Sequence, residues 1–146
     1  MEYEIIGWRE YVSLPDFKLE NLKAKIDTGA KTSALHAEDI EYVTLKNKKY
    51  VKFSFTDEAG NKKKIKAKFI EERAIKSSTG QTTIRPVVKT KIKMGKCEFE
   101  IELTLINRDL MGFKMLIGRD ALHHRFLIYP SKSFLLKKDS KSNEVL

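Results

Sequence analysis

The stretch that decides the fold is Ala24-Lys25-Ile26-Asp27-Thr28-Gly29-Ala30-Lys31-Thr32-Ser33-Ala34, in which an acid follows an apolar segment and precedes a small hydroxyl residue and a glycine. This order predicts a carboxylate at the end of a strand, held in a tight turn. Gly29 lets the backbone approach closely, so amide N–H groups can donate to Asp27, and Thr28 can fix the loop through its hydroxyl. The alternative is a simple Asx turn, in which Asp27 caps its own backbone.

A second stretch, Lys114-Met115-Leu116-Ile117-Gly118-Arg119-Asp120-Ala121-Leu122, has the pattern of a buried strand that ends at a glycine. The charged residue after the glycine predicts the start of a short helix over residues 119–125, with Asp120 stabilising its first turn. Another brief turn of helix is expected over residues 34–40. Asp109 falls in a predicted surface loop.

The rest of the chain alternates apolar and polar residues with a period of two, which predicts strands. One hairpin is expected around a turn at residues 57–61, and a second around a Gly95-Lys96 turn. We predict a mostly β barrel or sandwich. Its apolar strand faces carry the aromatic side chains of Phe53, Phe55, Phe69 and Phe99. The domain is expected to span residues 1–136, followed by a polar C-terminal tail over residues 137–146.

Composition limits the class of protein further. The chain has 146 residues, 41% of them hydrophobic, which suits a single domain with one core. The one cysteine, Cys97, cannot form an intramolecular disulfide, and its alternating surroundings predict a small buried residue. The N-terminus lacks the apolar region of a secretory signal, and no apolar run reaches the roughly 18 residues of a membrane-spanning helix. A cytoplasmic protein is therefore expected.

The net charge of +9, from 29 Lys and Arg against 20 Asp and Glu, leaves two interpretations open. Lysines that alternate along strands are typical of a solvated face, which we favour, whereas nucleic-acid binding requires exposed aromatics among the cations.

The histidines are His36, His123 and His124, and there is no His-Glu-x-x-His motif and no Gly-x-x-x-x-Gly-Lys-Ser/Thr loop. We therefore expect neither a metal site nor a cofactor.

Taken together, the two stretches and the all-β pattern resemble the retropepsin-like aspartic peptidases, in which the second segment packs beside the catalytic loop. More narrowly, the chain resembles a bacterial and archaeal family labelled ATP-dependent zinc protease, which is associated with ATP-grasp ligases of the ribosomal-protein-modifying type. The resemblance extends over residues 7–130. The segments that carry it are residues 7–10, 14–15, 25–37, 85–88, 102–108 and 115–119. Because the chain lacks zinc-binding and ATP-binding motifs, any ATP dependence would belong to a partner protein.

The resemblance implies a retropepsin-like barrel that works as a two-fold homodimer, with Asp27, Thr28 and Gly29 as catalytic residues. Aspartic peptidases need two carboxylates that share one proton and hold one water. This chain has one Asp-Thr-Gly, and Asp109 and Asp120 lie outside such loops. A homodimer would supply the second carboxylate by symmetry.

A glycine-bearing hairpin over residues 74–84 is expected to act as a flap above a peptide or protein substrate, although an ordinary hairpin turn fits equally well. Arg119 is expected to tie the second loop to neighbouring backbone. The lysines Lys31 and Lys76, together with Arg85, suggest a preference for acidic or glutamate-modified protein tails. The predicted substrate-binding residues are Ala30, Ser78, Thr79, Gly80, Gln81, Arg85, Leu116, Ile117 and Gly118.

Two alternatives stay open. The first is a peptide-binding module on the same fold that does not hydrolyse its ligand, because Lys31 beside the Asp27 loop would favour ionised carboxylates and oppose a shared proton. The second is a basic β-barrel that binds nucleic acid. Dimer-dependent peptide cleavage would support the peptidase, and salt-dependent binding to RNA would support the barrel.

Overall fold

Strands dominate the computed structural model, which describes residues 2–77 and 79–138. A single 3-10 turn at Pro15–Phe17 and one short helix, α1 (Arg119–Leu122), interrupt them in this part of the chain. The strands in chain order are β1 (Glu4–Ile6), β2 (Arg9–Leu14), β3 (Leu19–Ile26), β4 (Ser33–His36), β5 (Glu38–Leu45), β6 (Lys48–Thr56), β7 (Lys62–Lys76), β8 (Thr82–Met94), β9 (Cys97–Ile106), β10 (Met115–Ile117) and β11 (Phe126–Ile128).

Six of these strands close into a barrel. They pair in the order β2-β3-β10-β4-β9-β8, and the barrel closes where Ser13 of β2 pairs with Lys93 of β8. Strands β7, β6 and β5 continue outward from β8, while β1 and β11 form a separate parallel pair. This architecture agrees with the predicted retropepsin-like barrel.

The barrel interior is apolar because alternate residues of each strand point inward. Leu35, Val88, Leu103 and Ile117 are fully buried there. Each such side chain contributes about 1.5–3 kcal/mol by leaving water. The aromatic predictions are confirmed, since Phe53 and Phe55 are buried and Phe69 and Phe99 pack partly against the same core.

Strand β10 positions the two stretches identified in the sequence. It lies between β3 and β4, parallel to the first and antiparallel to the second. Ile117 is in register with Ile26, so both strands end at the same edge of the sheet. The Asp27 loop therefore emerges directly beside Gly118.

The two predicted hairpins are confirmed as the β6–β7 and β8–β9 pairs. The helix expected over residues 119–125 is shorter, ending at Leu122. The helical turn expected over residues 34–40 is wrong, because β4 inserts between β9 and β10 and its backbone groups join their ladders.

Residues 139–146 of the predicted tail, like Ser78, lie outside the described residues. No helix among those described has the length and apolar character needed to cross a membrane.

Candidate active site

The Asp27 loop begins where β3 ends and is held by hydrogen bonds to its own backbone and to β10. The Asp27 N–H donates to the Ile117 carbonyl at 2.9 Å, and the Ala30 N–H donates to the Asp27 carbonyl at 3.2 Å. The Gly29 N–H donates to Asp27 Oδ1 at 3.0 Å, which is the bond of an Asx turn. Asp27 is half-buried, while Thr28 and Gly29 are exposed. The loop thus presents one oriented carboxylate at the surface.

Gly118 lets the second stretch pack tightly against the segment that follows Asp27. A Cβ atom there would lie 2.7 Å from the Thr32 carbonyl carbon, so a larger residue would push the two backbones apart. The Gly118 N–H donates to Ser33 Oγ at 3.0 Å. Thr104 Oγ1 in turn donates to the Ser33 carbonyl at 3.1 Å. Ser33 therefore connects three strands beneath the loop.

Arg119 holds the loop from its other side. Its backbone N–H donates to the Ala30 carbonyl at 2.8 Å, and its Nη1 donates to the Thr28 carbonyl at 2.9 Å. The sequence assigned Thr28 a hydroxyl contact, but within the described chain it is the carbonyl of Thr28 that is bonded. Arg119 thus fixes the backbone that carries Asp27.

Lys31 follows the Asp27 loop directly, and a cation that faced the carboxylate there would favour its ionised form. Its Nζ lies 4.0 Å from Asp120 Oδ2, and both side chains are largely exposed. The Asp120 N–H also donates to the Lys31 carbonyl at 3.1 Å. Lys31 is therefore turned toward the first turn of α1, where solvent screens its charge.

The predicted substrate-binding residues of β10 divide between two faces. Leu116 is half-buried and pairs with Ala34, whereas Ile117 is fully buried in the barrel core. Because neighbouring strand residues point to opposite faces of a sheet, the predicted binding role of Ile117 is a role for its backbone and not for its side chain. Ile117 contributes to the site through its backbone carbonyl, which accepts the Asp27 N–H.

The predicted flap is a hairpin formed by the ends of β7 and β8. Its turn is closed by bonds from the Ser77 N–H to the Gln81 carbonyl at 2.8 Å and from the Gly80 N–H to the Ser77 carbonyl at 2.9 Å. Thr79, Gly80 and Gln81 are exposed at its tip. Ser78, also predicted to bind substrate, is among the residues that the structure does not describe.

The hairpin is tied to the segment after the Asp27 loop by Arg73, a residue that sequence reasoning missed. Arg73 Nη1 donates to Thr32 Oγ1 at 3.4 Å. The same guanidinium pairs with Glu71 and Glu102, which raise the pKa of Arg73. No local pattern distinguishes Arg73 from the other cations of β7, because its partners are set by strand register. The sequence also does not predict that Ser33 bonds Gly118 and Thr104 beneath the loop, although Ser33 lies within the stretch that decides the fold.

Arg85, predicted to face the cleft, is only 7% exposed. Its Nε donates to Thr83 Oγ1 at 3.0 Å. Burial lowers the pKa of Arg85, and the charge of Arg108 lowers it further. Lys76, by contrast, is exposed.

The histidines lie apart from the Asp27 loop in their contacts. His36 Nδ1 donates to the Arg108 carbonyl at 2.8 Å, while the rings of His123 and His124 lie 5.4 Å apart on the surface. Among residues 2–77 and 79–138, no three His, Cys, Asp or Glu side chains are grouped so that they could hold a metal ion.

Comparisons with known proteins agree with the fold. The family model described as "RimB-like: Retropepsin-like aspartic endopeptidase RimB" matches residues 5–139. A Legionella pneumophila protein of unknown function has a crystal structure that superposes with a TM-score of 0.78, at 30% identity, over 93% of this chain and all of that one.

Longer curated relatives are also similar. A protein of Shewanella pealeana named "Probable alpha-L-glutamate ligase" is 38% identical over 135 residues, which is 90% of this chain and 30% of the relative. One of the same name from Desulfotalea psychrophila is 36% identical over 143 residues, 96% of this chain and 31% of the relative. The chain thus spans less than a third of the length of these two relatives.

Proposed function

Because the chain belongs to the RimB-like family of retropepsin-like aspartic endopeptidases, we propose that it hydrolyses peptide bonds as a two-fold homodimer in which the Asp27 carboxylates of two subunits form the catalytic dyad. The chain has one Asp-Thr-Gly, so each subunit brings half of the dyad. A closed two-fold assembly puts identical residues together on its axis.

The chemistry follows from the closeness of two like charges. Carboxylates about 3 Å apart share one proton, so one is an acid while the other is a base. The ionised carboxylate takes a proton from a water molecule that lies between the two, and this water attacks the scissile carbonyl carbon. The protonated carboxylate donates its proton to the carbonyl oxygen, which gives a gem-diol intermediate. The C–N bond then breaks as the first carboxylate passes the water's proton to the leaving nitrogen, and a gem-diol hydroxyl returns a proton to the second carboxylate. Closure of the β7–β8 hairpin would exclude bulk water from these steps.

One observation carries the proposal: a half-exposed Asp27 carboxylate on a loop whose backbone is fixed at several points. The Ile117 carbonyl, the Arg119 guanidinium and the Gly29 N–H together set the loop and orient one carboxylate oxygen. Fixed orientation is what a dyad requires, because two carboxylates must meet across an axis to share a proton.

The substrate we propose is an acidic peptide, such as a glutamate-modified protein tail. The relatives named "Probable alpha-L-glutamate ligase" include a region similar to this chain. A ligase that adds glutamate and a peptidase that removes it would act on the same tail, so an ATP-grasp ligase is a functional partner to expect. The net charge of +9 would attract such a tail.

The test is cleavage of a peptide library by the wild-type chain and by Asp27→Asn. The amide keeps the shape but can neither accept nor supply the catalytic proton, so cleavage should fall by about a thousandfold or more. Asp109→Asn is the matched control, because Asp109 also lies in an exposed loop and accepts the Gly112 N–H at 3.2 Å. It should retain wild-type activity. Chelators should have no effect. A fully active Asp27→Asn protein would falsify the assignment.

The ligase names also favour a second candidate, a peptide-binding module that presents a tail to a ligase. This function needs the cleft but not the dyad. The same library separates the two, because a binding module retains peptides without cutting them and binds them equally well after Asp27→Asn.

A further inference from the structure

Two arginines face each other across the hairpin. Arg73 of β7 and Arg85 of β8 are directly paired in the antiparallel register. Directly opposed residues share one face of a sheet, and like charges in that position destabilise the pair unless other groups compensate.

Arg73 is compensated within the chain. Its guanidinium pairs with Glu71 at 2.6 Å and with Glu102 at 3.0 Å. Two carboxylates thus neutralise the charge of Arg73, so its guanidinium requires no anion from a ligand.

Arg85 has the opposite surroundings. Within residues 2–77 and 79–138 no carboxylate pairs with it, and its one hydrogen bond is that from Nε to Thr83. Every side-chain nitrogen or oxygen buried from solvent in this part of the chain has a hydrogen-bond partner. The two terminal nitrogens of Arg85 make no hydrogen bond within these residues, so they must be the atoms of this side chain that contact solvent. A guanidinium that is buried except for its fork is costly without an anion.

The register of the sheet places Arg85 level with His36, at the end of β4 farther from the Asp27 loop. Leu116, Ala34, Thr104 and Val87 form one row of directly paired residues on the face away from the barrel core. Arg85 is two residues from Val87 on the same strand and the same face, about 7 Å along. The step from Val87 to Arg85 therefore leads away from the Asp27 loop, so an extended peptide with its scissile bond at Asp27 would meet Arg85 with a residue several positions away.

Arg108 adds a second cation at the same place. It is exposed and lies two residues beyond Ile106, which the continued β8–β9 register places opposite Arg85, and its charge acts on Arg85. In the part of the chain that the structure describes, neither cation is paired with a carboxylate, so the two form an incomplete ion cluster. A carboxylate between them would complete it, because a guanidinium fork binds both oxygens of one carboxylate.

We propose that Arg85, with Arg108 beside it, forms a subsite that binds one carboxylate of the peptide substrate. The proposal rests on the proposed function for the presence of a peptide cleft, and it assigns the specificity for acid to these two residues rather than to the exposed lysines. The carboxylate could be a glutamate side chain or the free C-terminus of the tail.

The experiment measures peptide binding in an Asp27→Asn background, so it does not depend on cleavage. Short fluorescent peptides rich in glutamate are compared with glutamine counterparts, each with a free or an amidated C-terminus. Arg85→Gln and Arg108→Gln are the test variants, and Arg108→Gln keeps the fold in any case because the residue is exposed. Lys89→Gln is the control, since Lys89 is an exposed cation on the same strand and the change in net charge is identical.

Arg85→Gln should weaken binding of the glutamate peptides by about tenfold to a hundredfold, and Arg108→Gln by several-fold, while binding of the glutamine peptides stays unchanged. Lys89→Gln should change either affinity by less than about threefold. If amidation alone removes the effect of Arg85→Gln, the bound group is the C-terminal carboxylate; if it does not, the group is a side chain. The inference is overturned if Lys89→Gln matches Arg85→Gln, or if glutamate and glutamine peptides lose affinity equally.

Discussion

Two acids near the start of the chain, Glu10 and Asp27, have opposite surroundings. Glu10 is fully buried and accepts three backbone N–H bonds, from Gly7 at 2.7 Å and from Leu135 and Leu136 at 2.9 Å each. Asp27 is half-exposed, and from the described residues its carboxylate accepts one such bond, that of Gly29.

The difference separates a structural acid from a candidate catalytic one. A carboxylate whose oxygens are occupied by buried N–H groups is fixed in place, and Glu10 in this way joins Gly7 to Leu135 and Leu136. A carboxylate with one oriented oxygen and open surroundings can still bind water and a second carboxylate, which is what the proposed dyad requires of Asp27.

The largest contrast is expected when each acid is replaced by its amide. Glu10→Gln puts an NH2 group where backbone N–H groups donate, so at least one buried donor loses its acceptor and the free energy of unfolding should fall by about 3 kcal/mol. Asp27→Asn should change it by less than about 1 kcal/mol, because the amide oxygen can still accept the Gly29 bond. Urea denaturation of both variants measures this.

Glu20→Gln is the matched control for Glu10, because Glu20 is exposed on β3. It should change the free energy of unfolding by no more than about 0.5 kcal/mol. Folded Glu10→Gln protein should keep wild-type activity per molecule. Equal stability of Glu10→Gln and wild type would remove the distinction drawn between the two acids.

The sequence predicts the parts of this picture that depend on local pattern. Alternation predicts both hairpins, and the resemblance to retropepsin-like peptidases implies that the Asp27 and Gly118 loops lie side by side. The role of Glu10 could not be predicted, because its donors Leu135 and Leu136 are 125 and 126 residues away. Strand β4 was mistaken for a helix for a similar reason, since four residues take their conformation from the strands on either side.

A smaller contrast is expected between two buried serines that accept backbone N–H bonds. Ser33 accepts from Gly118 at 3.0 Å beneath the Asp27 loop, and Ser13 accepts from Asn21 at 3.1 Å in β2. Replacement of either by alanine should cost about 1–2 kcal/mol of stability. Only Ser33→Ala should also lower activity per folded molecule, because only Ser33 sets the spacing of the two loops. Equal activity of both variants would show that this spacing does not matter.

The smallest effect concerns a third acid, Glu4, which accepts a bond from the Cys97 thiol at 3.4 Å. Burial raises the pKa of the Cys97 thiol, and Glu4 raises it further. A raised pKa means less thiolate at a given pH, so alkylation by iodoacetamide at pH 8 should be slower than for a free cysteine peptide. Glu4→Gln should speed it by about two- to fivefold. A pH–rate profile that does not move to lower pH in this variant would contradict the contact.

The central claim is that two subunits share one dyad, and subunit mixing tests it most directly. Wild-type chain is mixed with Asp27→Asn chain at fixed total concentration, with time for exchange, and peptide cleavage is measured as the wild-type fraction falls. If a mixed dimer lacks a working dyad, activity follows the square of that fraction, so an equal mixture retains about one quarter of the wild-type rate. A linear fall, with about half the rate in the equal mixture, would show that each chain works alone and would contradict the account.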